Sequence, residues 1–137
     1  MVALDLATKV KSKLALNHRL MAAAKRLADA SGAELHVACC VAVNPILAEL
    51  DMIEPLEEKR KMKKKVKPML SEFQRNYGIH FKTGSPSKVL NSLAQKLKAD
   101  VVVIGTAGRK GVKGRLLGST SEQMLQHLYT DMLLIRP

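Results

Sequence analysis

Residues 101–122 read VVVIGTAGRKGVKGRLLGSTSE. Val101 to Ile104 is a run of strand-forming residues. The loop after it is rich in glycine, and Ser119 opens a short segment of helical periodicity. Two residues separate Gly105 from Gly108, nine separate Gly108 from Gly118, and Ser119, Thr120 and Ser121 follow directly. Arg109, Lys110, Lys113 and Arg115 lie between the glycines. Each of these features suits a phosphate chain. Glycine lets the backbone approach a ligand closely, and successive N–H groups can line an anion-binding concavity. Ser119 and Glu122 form an S-x-x-E capping box, and a helix N-terminus presents unpaired N–H groups to an anion. The plainer reading is a soluble surface loop leading into a capped helix. The spacing matches neither a Walker A loop nor a G-x-G-x-x-G dinucleotide loop.

Outward from this stretch, the chain alternates. Val2 to Leu6 reads as a strand with Asp5 near its end, and Ala7 to Lys13 as a polar connection. Leu14 to Ser31 has helical spacing in Leu16, Leu20, Ala24 and Leu27, with Gly32 as the residue after the cap. Glu34 to Val43 is apolar enough to be a strand covered on both faces. Ile46 to Glu54 is a loop or a short helix. Pro55 suits the first helical position, and Leu56 to Tyr77 reads as a helix ended by Gly78, with Pro68 predicted to kink or split it near Lys67. Ile79 to Thr83 is a strand. Ser85 and Pro86 then open a helix striped by Val89, Leu90, Leu93, Ala94 and Leu97. Asp100 to Ile104 is a strand, Ser119 to Leu128 a helix with Met124, Leu125 and Leu128 inward, and Met132 to Ile135 the last strand. This β-α alternation predicts one α/β domain, an open parallel sheet with helices on both faces. Ligands in such sheets bind beyond the carboxyl ends of the strands, where the strand order reverses. That directs attention to Asp5 and Gly105, which share a crevice if the first and fourth strands are neighbours.

The 137 residues are enough for one domain. Apolar residues make up 47% and aromatic residues 3%, so the core is aliphatic and there is little to stack bases on. The net charge of +11 is concentrated in Lys59, Arg60, Lys61, Lys63, Lys64, Lys65 and Lys67, which read as the solvated face of a helix. Cys39 and Cys40 are adjacent, which offers no C-x-x-C chemistry or disulfide framework and suits a reducing cytoplasm. No apolar run is long enough to span a membrane. His18, His36, His80 and His127 lack metal-ligand spacing, and there is no G-x-S-x-G elbow. His127 reads as a cation complementing a helix C-terminus.

The pattern G-x2-G-x9-G-(S/T), here Gly105, Gly108, Gly118 and Ser119, resembles the ATP-binding signature of the universal stress protein family. The flanks ADVVVIGTAGRKG and LLGSTSEQMLQHLYTDMLLIRP, with VALDLA and ELHVACCVAV, extend the likeness over essentially the whole chain. ALNHRLMAAAKRLAD and the VNP after the second strand look most like the second half of the tandem, E-type members. The resemblance implies five strands in the order 3-2-1-4-5 and a single domain that is one repeat of a longer tandem protein. The abrupt start at Val2 fits that expectation.

It also implies an adenine-nucleotide ligand, ATP with or without Mg²⁺, in a stress response. Asp5 at the end of the first strand, beside Leu4, would contact the nucleoside. Cys40 or Val41 would line the adenine pocket, and Ile104 and Gly105 would pass close to the sugar. Gly108, Gly118, Ser119, Thr120 and Ser121 would hold the triphosphate, with Arg109 adding charge. Two departures stand beside this. Ala7 occupies a position that is often serine in the family, and the family divides into nucleotide-binding and non-binding branches. The implied action is ligand-dependent conformation or assembly rather than catalysis. The alternatives are an assembly module that pairs last strands with a second copy or an upstream repeat, and a polyanion binder using the basic segment. Slow ATP hydrolysis names no base and no metal ligand in these residues.

Overall fold

The computed structural model describes residues 1–6, 11–41, 55–73, 76–106 and 119–137. Among the described residues nine elements follow one another: β1 (Val2–Leu4), α1 (Lys11–Ser31), β2 (His36–Val41), α2 (Pro55–Ser71), β3 (Gly78–Thr83), α3 (Pro86–Lys96), β4 (Val101–Gly105), α4 (Ser119–Leu125) and β5 (Asp131–Ile135). The strands form one sheet in the order β3-β2-β1-β4-β5. Every pairing is parallel, as the alternation predicts. The segment Ile46 to Glu54 lies outside the described residues.

Strand alternation divides the core into two layers. Val2, Leu4, Val37, Cys39 and Val103 face α1 and α2, where they meet Leu16, Leu20, Met21, Ala24, Met62 and Val66. Ala3, Ala38, Val102 and Ile104 face the other way, against Leu90, Leu93, Ala94 and Met124 from α3 and α4. The continuous apolar runs of β1, β2 and β4 are therefore those of strands buried on both faces.

Several boundaries differ from expectation for identifiable reasons. On α1 the buried ridge steps by fours, Leu16, Leu20, Ala24 and Ala28, so Leu27 turns outward and is 39% exposed. Gly32, at φ +67°, ends the helix as predicted, and the Ala33 N–H reaches back to the Ala28 carbonyl at 3.1 Å. α2 runs through Pro68 and stops one turn later at Ser71, instead of breaking near Lys67. The proline gives up the N–H bond to the carbonyl four residues back, and buried Val66, Met69 and Leu70 hold the turn in place. Gly78 belongs to β3 rather than to the end of α2. On α4, Met124 takes the core position, and Leu125, one helical step around, is 48% exposed. The helix closes at Leu125, and Leu128 packs on the same layer from the turn that follows.

Candidate functional site

The strand order reverses between β1 and β4. β2 and β3 build outward on one side of β1, and β4 and β5 on the other. The crevice at the carboxyl ends of β1 and β4 is therefore the switch point of this sheet. Val2 is level with Val37 and Val103, so the same register sets Asp5 level with Cys40 and Thr106.

Asp5 leaves the sheet at this point because its backbone is bound elsewhere. Its N–H donates to Asn17 Oδ1 at 3.2 Å, and Asn17 Nδ2 donates to its carbonyl at 2.8 Å. Asn17, on α1, is 2% exposed. Both peptide groups of Asp5 that a sixth-residue strand would have used are satisfied by one buried carboxamide, which is why β1 ends at Leu4 and not at Leu6 as predicted. The Asp5 carboxylate projects to the surface. Lys13 Nζ lies 3.4 Å from it, with both side chains about half exposed. An exposed pair of this kind is worth about 0–1 kcal/mol, so the backbone clamp, rather than the ion pair, fixes Asp5. The next carbonyl, that of Leu6, accepts a hydrogen bond from Lys65 Nζ of α2 at 3.0 Å. One member of the basic segment is thus an internal tie at the crevice rim. Another, Lys63, sits over the Phe81 ring at 5.9 Å.

The remaining predicted site residues are placed as follows. Leu4 and Ile104 are buried in opposite layers of the core, so only their backbone is available to the crevice. Cys40 is half-buried, and its thiol donates to the Gly84 carbonyl at 3.6 Å, which links β2 to the turn before α3. Burial raises the Cys40 thiol to about 11. Burial, and then the neighbouring Cys40, raise Cys39 to about 12. Val41 pairs with Thr83 at the end of β2. A Cβ on Gly105 would lie 2.7 Å from Leu16 Cδ2. The first glycine of the loop therefore lies where α1 packs closely on β4, and a side chain there would have to displace Leu16. Ser119 begins α4 and Glu122 lies in its first turn. Thr120 is half-buried, and Ser121 is 1% exposed. Gly108, Arg109 and Gly118 lie outside the described residues.

Sequence reasoning missed Asn17, Thr106 and the Ser87–Gln123 link. Asn17 adjoins the apolar stripe of α1, and a polar residue beside such a stripe is the signal that could have found it. Thr106 is buried, and its N–H donates to the Ile135 carbonyl at 2.9 Å, carrying the β4–β5 ladder to the mouth of the glycine loop. Ser87 Oγ donates to Gln123 Oε1 at 2.9 Å and ties α3 to α4. Ser85 holds the N-cap position of α3 as predicted but makes no side-chain cap bond.

Among the described residues, no helix is long and apolar enough to cross a membrane. Likewise, no group of three or more His, Cys, Asp or Glu side chains there is arranged to hold a metal ion.

Comparison with known proteins agrees with this architecture. The chain is 32% identical over 145 residues to universal stress protein E of Escherichia coli K12, covering 100% of this chain and 46% of that protein. It thus spans about half the length of the curated relatives it matches. A functionally unknown protein of Pseudomonas aeruginosa PAO1 superposes with a TM-score of 0.78 at 26% identity, over 99% of this chain and 46% of that one. A universal stress protein solved in complex with cAMP superposes with a TM-score of 0.59 at 27% identity, over 98% and 94% of the two chains. The model of the universal stress protein family matches residues 2–136, and the chain belongs to that family.

Proposed function

We propose that this domain binds an adenine nucleotide in the crevice between β1 and β4 and acts in a stress response through ligand-dependent conformation or assembly. The observation that carries this reading is Asp5. Its backbone is clamped by buried Asn17 at the switch point, and its carboxylate is left at the surface beside the strand that feeds the glycine loop. A carboxylate so placed accepts hydrogen bonds from ribose hydroxyls or an adenine amino group. Cys40 or Val41 lines the base, and the backbone of Leu4, Ile104 and Gly105 borders the sugar. Gly108, Gly118, Ser119, Thr120 and the backbone N–H of Ser121 hold the phosphates, with Arg109 supplying charge. ATP, with or without Mg²⁺, is the ligand that the loop spacing favours, and the cAMP complex of a relative supports the adenine class. No residue in this set is assigned to catalysis. The site of action is the cytoplasm, which suits the two free cysteines. The domain is one repeat of a tandem protein, as the half-length match to its relatives suggests.

Calorimetric titration of ATP with Mg²⁺, with cAMP in parallel, tests the reading. Micromolar binding lost in Gly118→Val, with the fold retained, supports it. Equal affinity in that variant removes the loop from the site, and phosphate release during the titration would add turnover.

A second reading is assembly through β5. It is an edge strand, and Leu133 on it is 38% exposed; an uncovered apolar edge is a template for pairing. A second copy or an upstream repeat would cover it. A monomer at high concentration in light scattering counts against the homodimer.

A further inference from the structure

We propose that the imidazoles of His36 and His80 form a two-nitrogen site for a divalent transition-metal ion of the zinc class, on the α3 side of the β2–β3 edge of the sheet.

The strand register brings the two rings together. His36 is level with Gly78, and Ala38 with His80. The histidines therefore lie one diagonal step apart on neighbouring parallel strands and on the same face. Gly78 makes the approach possible, because a Cβ there would lie 2.1 Å from His36 Nδ1. With no side chain opposite it, the His36 ring lies across the glycine and reaches its neighbour. His36 Nδ1 and His80 Nε2 are 3.2 Å apart, with ring centroids at 5.3 Å and planes inclined at 46°.

Two nitrogens each held at about 2.0–2.1 Å by a tetrahedral Zn²⁺ stand about 3.3 Å from one another. The observed separation matches, and turning the two rings about their side-chain torsions, so that both lone pairs meet at an ion off the N···N line, completes the site. The surroundings also prepare the lone pairs. The Glu34 carboxylate lies 3.4 Å from His36 Nε2. It favours the proton on that nitrogen and leaves Nδ1 as the ligand, the usual work of an outer-shell carboxylate. Burial, and then His36, Lys82 and Lys96, lower the pKa of His80. On metal entry the His80 proton moves to Nδ1 and Nε2 becomes the donor, with no net change in charge on the protein. Lys82 and Lys96 repel a dication as they repel a proton, so the site is a modest one with water completing the coordination. Imidazole donors select zinc, nickel or copper over magnesium or calcium. The site lies near the amino ends of the strands, away from the nucleotide crevice, and does not depend on it.

The test is Zn²⁺ titration of chelator-treated protein, followed by imidazole NMR and by calorimetry, with Mg²⁺ as the control ion. The ring resonances of His36 and His80 should shift together at one equivalent, while those of His18 and His127 stay in place. His80→Gln keeps a hydrogen-bond donor for His36 but brings no imidazole, so it should lose zinc binding at an unchanged Tm. If Zn²⁺ leaves both rings unmoved in the wild type, or His80→Gln binds as the wild type does, the proposal is overturned.

Discussion

The carboxamide of Asn17 and the backbone of Asp5 are joined by two hydrogen bonds, one in each direction, across the gap between α1 and the end of β1. This pair ends the first strand, positions the carboxylate at the switch point and satisfies a buried side chain at once. Asn17→Ala removes both bonds at a partly buried site, and each is worth about 0.5–1.5 kcal/mol. Denaturant unfolding should show a loss of about 1–3 kcal/mol for the two together, with nucleotide affinity falling in the same variant. Lys13→Ala, which removes only the exposed ion pair, should change stability by less than about 1 kcal/mol.

Gly105 and Leu16 are a second coupled pair. Gly105→Ala should destabilise by about 1–3 kcal/mol through overpacking against Leu16. Leu16→Ala removes the atoms that a new Cβ would meet. In a double-mutant cycle the Gly105→Ala penalty should therefore shrink in the Leu16→Ala background. Equal penalties in the two backgrounds would show that the glycine serves the loop and not the helix contact.

Lys98 adopts φ +48° just after α3, where the Ala99 N–H reaches the Ala94 carbonyl at 2.9 Å and the Lys98 N–H reaches Gln95 at 3.0 Å. This is a Schellman closure without glycine. Lys98→Gly should stabilise the domain by about 1 kcal/mol, since the left-handed conformation carries no Cβ penalty for glycine. A thermal scan reads this as a rise in Tm.

The thiols should be unreactive at neutral pH. Cys39 and Cys40 have folded pKa values of about 12 and about 11, above the ordinary value of 9.0. Because burial disfavours the thiolate, the folded state binds these protons more tightly than the unfolded state does. Their contribution to stability is complete below the ordinary thiol range and is lost as pH rises through and above it. Alkylation by iodoacetamide should be slow at pH 8, faster at half-buried Cys40 than at buried Cys39, and should accelerate only toward pH 11. Rapid modification of both thiols at pH 8 would contradict this.

Local pattern alone determined a great deal about this protein. The apolar runs of β2 and β4, the helical stripes of α1 and α3 and the Gly32 stop were legible because each depends on periodicity and backbone preference within one element. From these came the alternation, the parallel sheet and the end of the sheet to inspect. The glycine spacing from Gly105 to Gly118, with Ser119, pointed to the family.

Only the tertiary structure decided the rest, because the deciding contacts join residues distant in sequence. Asp5 stops the first strand because Asn17, twelve positions on, takes its peptide groups. Gly105 lies against Leu16 and Gly78 against the His36 ring, contacts invisible from either glycine's own neighbours in the chain. Pro68 lies within its helix because buried residues around it hold the turn, and Leu27 and Leu125 face outward because the sheet admits one ridge of each helix. His36 and His80 have no motif spacing in the chain. Parallel pairing of β2 with β3 brings their nitrogens to 3.2 Å, since register between strands is a property of the assembled sheet and not of either strand.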